Sequence, residues 1–172
     1  IISSPYGKKI DKLIAMGCKY SEITINRRGF NPVREYKLLL YYTKLMKKIN
    51  PDVVLTFTIK PNIYGGLAAQ ITNRPYIANI TGLGTSISNG GIVQKISLFL
   101  YKQGLKKANT IFFQNQSNYN TFKKIGIVNN NGILLPGSGV NLEEHNFENY
   151  PNQNKSINFL YIGRIMKDKA ID

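Results

Sequence analysis

Short apolar runs alternate along this chain with longer segments of helical periodicity, and this alternation limits the possible folds more than any other feature. Residues 53–57, 76–80 and 110–113 are rich in β-branched and aromatic side chains, which predicts buried strands. Each pair of strands is separated by a helical segment of roughly 10–18 residues, the length typical of βαβ units. The pattern therefore predicts an α/β fold with a Rossmann-like, mostly parallel sheet and helices on both faces.

The longest predicted helix has recognisable start and stop signals. Asn31 is a suitable N-cap and Pro32 suits the first helical position, whereas Asn50-Pro51 ends the helix near residue 49. The other helices are predicted at residues 7–16, 63–71, 92–107 and 117–125, the last with Ser117 as its N-cap. The remaining strands are predicted at residues 19–25, 133–135 and 157–162.

Composition excludes several classes of protein. The chain has 172 residues, of which 42% are apolar, and no apolar run reaches the ~18 residues that span a bilayer. Cys18 is the only cysteine and His145 the only histidine, so neither an internal disulfide nor a histidine metal site can form within the chain. No nucleophile elbow accompanies His145, so a Ser-His-Asp hydrolase is not expected.

The net charge of +14 points to an anionic partner, such as a phosphate, an acidic lipid or nucleic acid. Lysine greatly outnumbers arginine, and asparagine, isoleucine and tyrosine are also abundant. Because these residues share AT-rich codons, genome composition is the alternative explanation of the lysine count. The sequence disfavours a nucleic-acid partner, because the chain has no zinc finger, ribonucleoprotein motif or compact basic arm. Lysines also flank the apolar residues of helix 92–107 and helix 32–49. Both helices therefore remain open to two interpretations, packing in the core or contact with an anionic membrane surface.

Three polar loops follow predicted strands, at residues 58–62, 81–86 and 114–117. In a parallel sheet such loops gather at one edge, where backbone amides hold anions or sugar hydroxyls. The alternative interpretation is that they are caps and tight turns. The candidate binding residues of the first two loops are Lys60, Asn62, Thr81, Gly82, Leu83, Gly84 and Thr85. Lys60 either meets an acceptor phosphate or is an ordinary solvated lysine.

A glycine-rich turn precedes a polar stretch near the end of the chain. The turn contains Gly137, Gly139, Val140 and Asn141, and is either an interdomain hinge and cleft element or a plain loop. Residues 141–156 are predicted to form a linker. We expect one domain over residues 1–155, with its first strand missing, and the start of a second domain over residues 156–172.

The last residues combine a strand pattern with positive charge. The predicted strand 157–162 is followed by Gly163, and then by Arg164 and Lys169. Cations at the carboxyl end of a strand favour binding of nucleotide phosphates. Because the sequence stops three residues beyond Lys169 and lacks an initiator methionine, we expect a fragment of a longer protein.

The order of these segments resembles a bacterial family-four glycosyltransferase of the GT-B fold, of the kind that builds capsule, O-antigen or lipid-linked oligosaccharides. The segments that carry the resemblance are PDVVLTFTIKPNIYGGLAA, ANITGLG, KKANTIFFQNQSNYNTFKKIGI, ILLPGSGVNLEEHNF and FLYIGRIMKDKAID. The closing Gly163-Arg164 with Lys169 is its most specific part. Ala170 replaces the glycine usual after that lysine, and the loop at residues 81–84 lacks the histidine that many relatives have.

The resemblance implies two Rossmann-like domains that face each other across a cleft. The first would bind a polyprenyl-linked or glycan acceptor, and the second a nucleotide-sugar donor whose diphosphate contacts Gly163, Arg164 and Lys169. It further implies a hexosyl or N-acetylhexosaminyl transferase that retains anomeric configuration and needs neither metal nor cofactor. Such an enzyme would act at the cytoplasmic face of the membrane. Its catalytic residues would lie beyond Asp172, so the fragment alone is expected to be inactive.

Two other classes of function remain open from the sequence. One is a non-catalytic Rossmann-like module that binds anionic lipid or nucleic acid through its lysines. The other is a different GT-B enzyme, such as a sugar-nucleotide epimerase, which would release a changed sugar nucleotide without any acceptor.

Overall fold

The computed structural model describes residues 1–7, 9–26, 31–83, 91–137, 139–149 and 159–160. Its strands, in chain order, are β1 (Ile2–Ser4), β2 (Tyr20–Glu22), β3 (Val54–Phe57), β4 (Tyr76–Ile80), β5 (Thr110–Phe113) and β6 (Gly132–Leu134). Its α-helices are α1 (Ile10–Ala15), α2 (Pro32–Ile49), α3 (Gly66–Ile71), α4 (Gly91–Leu105) and α5 (Gln116–Lys124). A π-helical turn, Pro61–Gly65, leads directly into α3.

Every strand pair described is parallel, which confirms the predicted α/β class. Strands β3, β4, β5 and β6 pair in that order, and β1 pairs with β2 in a separate sheet. In the larger sheet Val54 lies opposite Tyr76, and Ile77 lies opposite Thr110. Parallel neighbours require crossover connections, and the helices between successive strands supply them.

Helix α2 begins and ends where its local chemistry predicts. The side chain of Asn31 accepts hydrogen bonds from the backbone N–H groups of Val33 and Arg34. Asn50 ends the helix in the left-handed conformation, with φ of 51°. Between these caps Leu38, Tyr42 and Met46, spaced four residues apart, form a buried stripe.

The core lies on one face of the larger sheet. Ala78 and Ile111 are neighbours in register on that face, and so are Ile80 and Phe113, and all four are completely buried. The opposite face carries Leu55, Phe57 and Ile133, which are 59%, 51% and 48% exposed. Among the described residues, helices therefore bury one face of the sheet much more completely than the other.

The separation into two sheets was not predicted. A cavity of about 530 Å³ is lined on one side by β1 residues and on the other by Leu55 and Phe57 of β3. No strand among the described residues lies between β1 and β3, so neither strand is paired on that side.

Two helices approach each other closely enough for their backbones to touch. A Cβ atom added to Gly66 would lie 2.2 Å from the carbonyl oxygen of Gly104. That same oxygen accepts a 2.7 Å hydrogen bond from the hydroxyl of Tyr76 and a 3.2 Å bond from Gln70 Nε2. Burial raises the pKa of Tyr76 to about 12, so this hydroxyl keeps its proton. The contact joins α3, α4 and β4 at one point.

The chain divides into a compact unit over residues 1–135 and a second over residues 136–172. In the second unit Gly137 and Gly139 have φ angles of 97° and 70°, which glycine adopts without steric cost. The predicted strand 157–162 lies outside the described residues except for Phe159 and Leu160. These two residues are not in strand conformation and are 94% and 83% exposed, so the structure does not place them in a buried strand.

The close contact between α3 and α4 predicts that adding one methyl group at Gly66 lowers the stability of the protein. We expect Gly66→Ala to lower the free energy of unfolding by about 2–3 kcal/mol, because the overlap exceeds the ~1 kcal/mol gained in helix propensity. Urea unfolding of the chain measures the difference. Gly7→Ala is the matched control, since a Cβ at Gly7 meets no atom within 4 Å. Equal stability of the two variants would contradict the close contact.

Candidate functional site

The turn after β3 holds the most unusual backbone near a candidate residue. Thr58 has φ of 70°, in the left-handed region that β-branched residues strongly disfavour. It is followed by Lys60 and by the π-helical turn, a form of helix that often marks functional sites. Strained conformations of this kind cost about 1–3 kcal/mol and cluster at binding and catalytic sites.

Lys60 forms an ion pair with Glu35 of α2. Only 16% of the Lys60 side chain and 6% of the Glu35 side chain are exposed, so both charges are largely removed from water. The Tyr64 hydroxyl also lies near this carboxylate. Its pKa is raised first by burial and then by the charge of Glu35, so Tyr64 stays protonated. The solvated-lysine interpretation of Lys60 is therefore wrong.

Asn62 is fully buried and braces the turn. Its side-chain Nδ2 donates a 2.9 Å hydrogen bond to the backbone oxygen of Asn79, and its backbone N–H donates to the oxygen of Thr58. Its side chain also lies near the hydroxyl of Tyr101. Burial raises the pKa of Tyr101, and the contact with Asn62 opposes this effect only in part. Asn62 thus holds Lys60 in place from beneath the turn and lines neither cavity beside that lysine.

Asn79 of β4 links the turn after β3 to the loop after β5. Its backbone oxygen accepts from Asn62, and its side-chain Oδ1 accepts a 3.4 Å hydrogen bond from Gln114 Nε2. The predicted gathering of these loops at the carboxyl edge of the sheet is confirmed for these two. The predicted Ser117 cap is wrong, because Asn115 caps α5 by accepting from the N–H of Asn118.

The loop after β4 is only partly described. Thr81 is exposed, and Gly82 and Leu83 are half-buried. Leu83 packs against the hydrophobic core. Gly84 and Thr85 lie outside the described residues, so the glycine pair of this loop stays a prediction.

Two cavities flank Lys60. One, of about 530 Å³, is the cavity between β1 and β3, and the other, of about 420 Å³, lies beside α2. Lys60 and Ile25 line both cavities. Lys60 therefore borders the space that a bound molecule would occupy in either cavity.

Sequence reasoning missed several residues beside Lys60. The 420 Å³ cavity is also lined by Arg34, Glu35 and Lys37. The burial of Glu35 could have been predicted from its spacing. It precedes Leu38 by three residues and Tyr42 by seven, which places it on the buried stripe of α2. A carboxylate on such a stripe needs a buried cation, and Lys60 is that cation.

In the second unit, the glycine turn is followed by a short helical turn. Asn141 accepts a 3.0 Å hydrogen bond at its side-chain oxygen from the N–H of Glu143 and a 2.9 Å bond at its backbone oxygen from the N–H of His145. Val140 is 67% exposed. The donor-site candidates Gly163, Arg164 and Lys169 lie outside the described residues.

Parallel strands, crossover helices and polar loops at the carboxyl edge define a Rossmann-like domain. Solved structures share this fold. The chain is similar to MurG of Acinetobacter baumannii, with a TM-score of 0.50 and 18% identity over 82% of this chain and 36% of that one. It is also similar to a UDP-N-acetylglucosamine 2-epimerase, with a TM-score of 0.54 and 15% identity over 74% of this chain and 35% of that one.

Residues 1–115 match the Glycosyl transferase 4-like family, and the chain belongs to that family. A relative in Campylobacter jejuni is 29% identical over 145 residues. Its name is N,N'-diacetylbacillosaminyl-diphospho-undecaprenol alpha-1,3-N-acetylgalactosaminyltransferase. The match covers 81% of this chain but 39% of that relative.

Proposed function

We propose that this chain is the acceptor-side part of a glycosyltransferase that moves a sugar from a nucleotide-diphosphate sugar to a lipid-linked acceptor. The observation that carries the proposal is the match to the Glycosyl transferase 4-like family over residues 1–115. The Campylobacter relative, named for an undecaprenyl diphosphate acceptor, supports a polyprenyl-linked substrate and an N-acetylhexosaminyl donor. The resemblance behind this proposal also implies retention of configuration, no metal and no cofactor, and action at the cytoplasmic face.

The roles of individual residues follow from the same proposal. Arg164 and Lys169, with the backbone at Gly163, would bind the donor diphosphate. Charged hydrogen bonds of this kind contribute about 1.5–3 kcal/mol each and strengthen as negative charge develops on the leaving group. Lys60 and the loop at residues 81–85 would line the acceptor side, with Asn62 as a brace.

The donor role predicts a loss of turnover. In a longer protein that contains this chain, Arg164→Ala should lower kcat/KM for the nucleotide sugar by about 10-fold to 150-fold, the equivalent of one charged hydrogen bond. Donor-dependent transfer to a prenyl-diphosphate sugar measures it. Lys12→Ala, an exposed lysine of α1, is the control and should leave kcat/KM unchanged. Unaltered turnover in Arg164→Ala would count against the transferase site. Micromolar binding of UDP to the 172-residue chain alone would contradict the separate prediction that this chain by itself binds the donor weakly and is inactive.

A sugar-nucleotide epimerase is the second candidate, because one similar fold is that of an epimerase. The two activities differ in their products. An epimerase converts the nucleotide sugar with no acceptor present, whereas a transferase releases the nucleotide diphosphate only as the acceptor is glycosylated. Identifying the nucleotide products formed in the absence of acceptor distinguishes the epimerase from the transferase.

We also propose that α4 rests on an anionic membrane surface. No helix among the described residues is long and apolar enough to cross a bilayer. On α4, however, Ile92, Ile96 and Phe99 are 77%, 41% and 61% exposed at helical spacing. The exposed Lys102 lies one turn beyond Phe99, and the exposed Lys106 follows the last residue of the helix. Apolar side chains bordered by lysines fit an interface of acidic headgroups and acyl chains.

Vesicle flotation tests this surface. Reversing Lys102 and Lys106 to glutamate should reduce binding to vesicles that contain phosphatidylglycerol by about tenfold or more, since each lysine contributes ~1 kcal/mol near an anionic surface. Lys123→Glu with Lys124→Glu on α5 is a control of equal charge change and should leave flotation intact. Equal loss in both double variants would indicate an unspecific effect of net charge and contradict the proposal.

We propose further that the cavity between β1 and β3 receives an additional parallel strand of the same protein, followed by a helix that covers Leu55 and Phe57. The unpaired strand edges on either side of that cavity support this, as does the exposure of the adjoining sheet face. Such a strand would join the two sheets into one.

Amide exchange tests the additional strand. The N–H of Val54 bonds to the oxygen of Pro75 beside β4, so by alternation the N–H groups of Leu55 and Phe57 point to the unpaired edge. In a protein that extends the chain before Ile1, those two amides should exchange more slowly than in the 172-residue chain. The amides of Val54 and Thr56 serve as controls and should be protected in both. Identical exchange at Leu55 and Phe57 in the two proteins would refute the strand.

A further inference from the structure

The cavity of about 420 Å³ beside α2 has a mixed character, and we call it the cationic pocket. It lies between residues 23–26, which follow β2, and the first turns of α2. Apolar walls come from Ile23, Leu38 and Tyr41, and cations from Arg34, Lys37 and Lys60. Its volume falls within the roughly 300–1,000 Å³ typical of small-molecule pockets.

The cations of the cationic pocket differ in their exposure to water and in their pairing. Arg34 and Lys37 are exposed on the first turns of α2, whereas Lys60 is largely buried and held by Glu35. Among the residues that the structure describes, three cations thus line the space against one carboxylate, which is already paired with Lys60. The pocket therefore has an excess of positive charge that suits an anion carrying more than one negative charge, and arginine with lysine is a common pair for phosphate groups.

The apolar walls argue against a small inorganic anion as the natural ligand. A phosphate ion alone would cover none of the apolar surface that the half-buried side chains of Ile25 and Tyr41 expose at the pocket wall. Each Å² of apolar surface removed from water contributes roughly 25 cal/mol, so a ligand with a hydrocarbon part gains from these walls. A diphosphate joined to a hydrocarbon chain satisfies both halves of the pocket.

We propose that the cationic pocket binds the diphosphate of a prenyl-linked acceptor, with its apolar walls taking the first isoprenoid carbons. The inference rests on the proposed function, because that function supplies a lipid diphosphate as substrate. The diphosphate meets Arg34, Lys37 and the Lys60 ammonium. Glu35 holds that ammonium at the wall, and the strained turn at Thr58 delivers Lys60 to it.

A diphosphate also occurs in the nucleotide-sugar donor, so the probes must separate the two sources. Titration calorimetry of the full chain would use farnesyl diphosphate, inorganic pyrophosphate, farnesol and UDP. Farnesyl diphosphate should bind at least about tenfold more tightly than each of the others, because only it offers both the charge and the hydrocarbon. Equal affinity for pyrophosphate would overturn the role of the apolar walls. Tighter binding of UDP would assign the pocket to the donor and overturn the proposal.

Variants on one helix locate the site. Arg34→Ala with Lys37→Ala removes two exposed cations and should weaken farnesyl diphosphate binding by about tenfold or more. Lys44→Ala with Lys47→Ala removes the same number of exposed cations from the same helix, outside the pocket. That control should bind as the parent chain does. No weakening in the first variant, or equal weakening in both, would overturn the assignment.

The outcome is distinguishable from a failure of the proposed function. Binding of farnesyl diphosphate needs neither a donor nor turnover. If a longer protein transfers sugar while its binding is insensitive to Arg34 and Lys37, the pocket is refuted and the transferase stands. If these residues govern binding but no sugar is transferred, the lipid-diphosphate site stands and the transferase fails.

Discussion

The backbone contact between Gly66 and Gly104 is the constraint on which the arrangement around Lys60 depends. Because neither residue has a side chain, α3 and α4 approach until the carbonyl oxygen of Gly104 is shared by Tyr76 and Gln70. This close approach of the two helices buries the π-helical turn and places Asn62 within hydrogen-bond distance of the backbone oxygen of Asn79. A larger residue at either glycine would push α3 and α4 apart. The π-helical turn would shift away from α4, and Lys60 would move with it.

The Lys60–Glu35 pair is better explained by position than by stability. Removing two charges from water costs several kcal/mol each, which their attraction offsets only in part, and apolar replacements are often as stable. The strained Thr58 immediately before the pair adds a further cost. A fold that keeps both features beside two cavities holds an ammonium group at a place where packing alone would favour a hydrocarbon side chain. That place is at the carboxyl edge of the sheet, where the polar loops gather.

Features with local causes could be predicted from the sequence, and features with distant causes could not. Asn31 and Pro32 lie next to the helix they start, so the first residue of α2 was predicted correctly, and its end was predicted near residue 49, where the structure has it. The β4 and β5 strands were equally clear, because their apolar runs are bounded by polar residues. The partner of Lys60 lies 25 residues away on another helix, and only the packed fold brings Glu35 to it. The burial of Asn62 depends likewise on two glycines outside its own loop.

Lysines occur along most of the chain, but the cations of α4 and those of α2 lie in different surroundings. On α4 the lysines border an exposed apolar stripe, whereas on α2 Arg34 and Lys37 open onto a pocket whose inner cation is already neutralised. Under the proposal that this pocket binds a lipid diphosphate, exposed cations, which water screens, would release the ligand more readily than an unpaired buried cation would. The pairing of Lys60 with Glu35 would then moderate the innermost charge, so that a doubly charged headgroup is attracted without being held too tightly to leave.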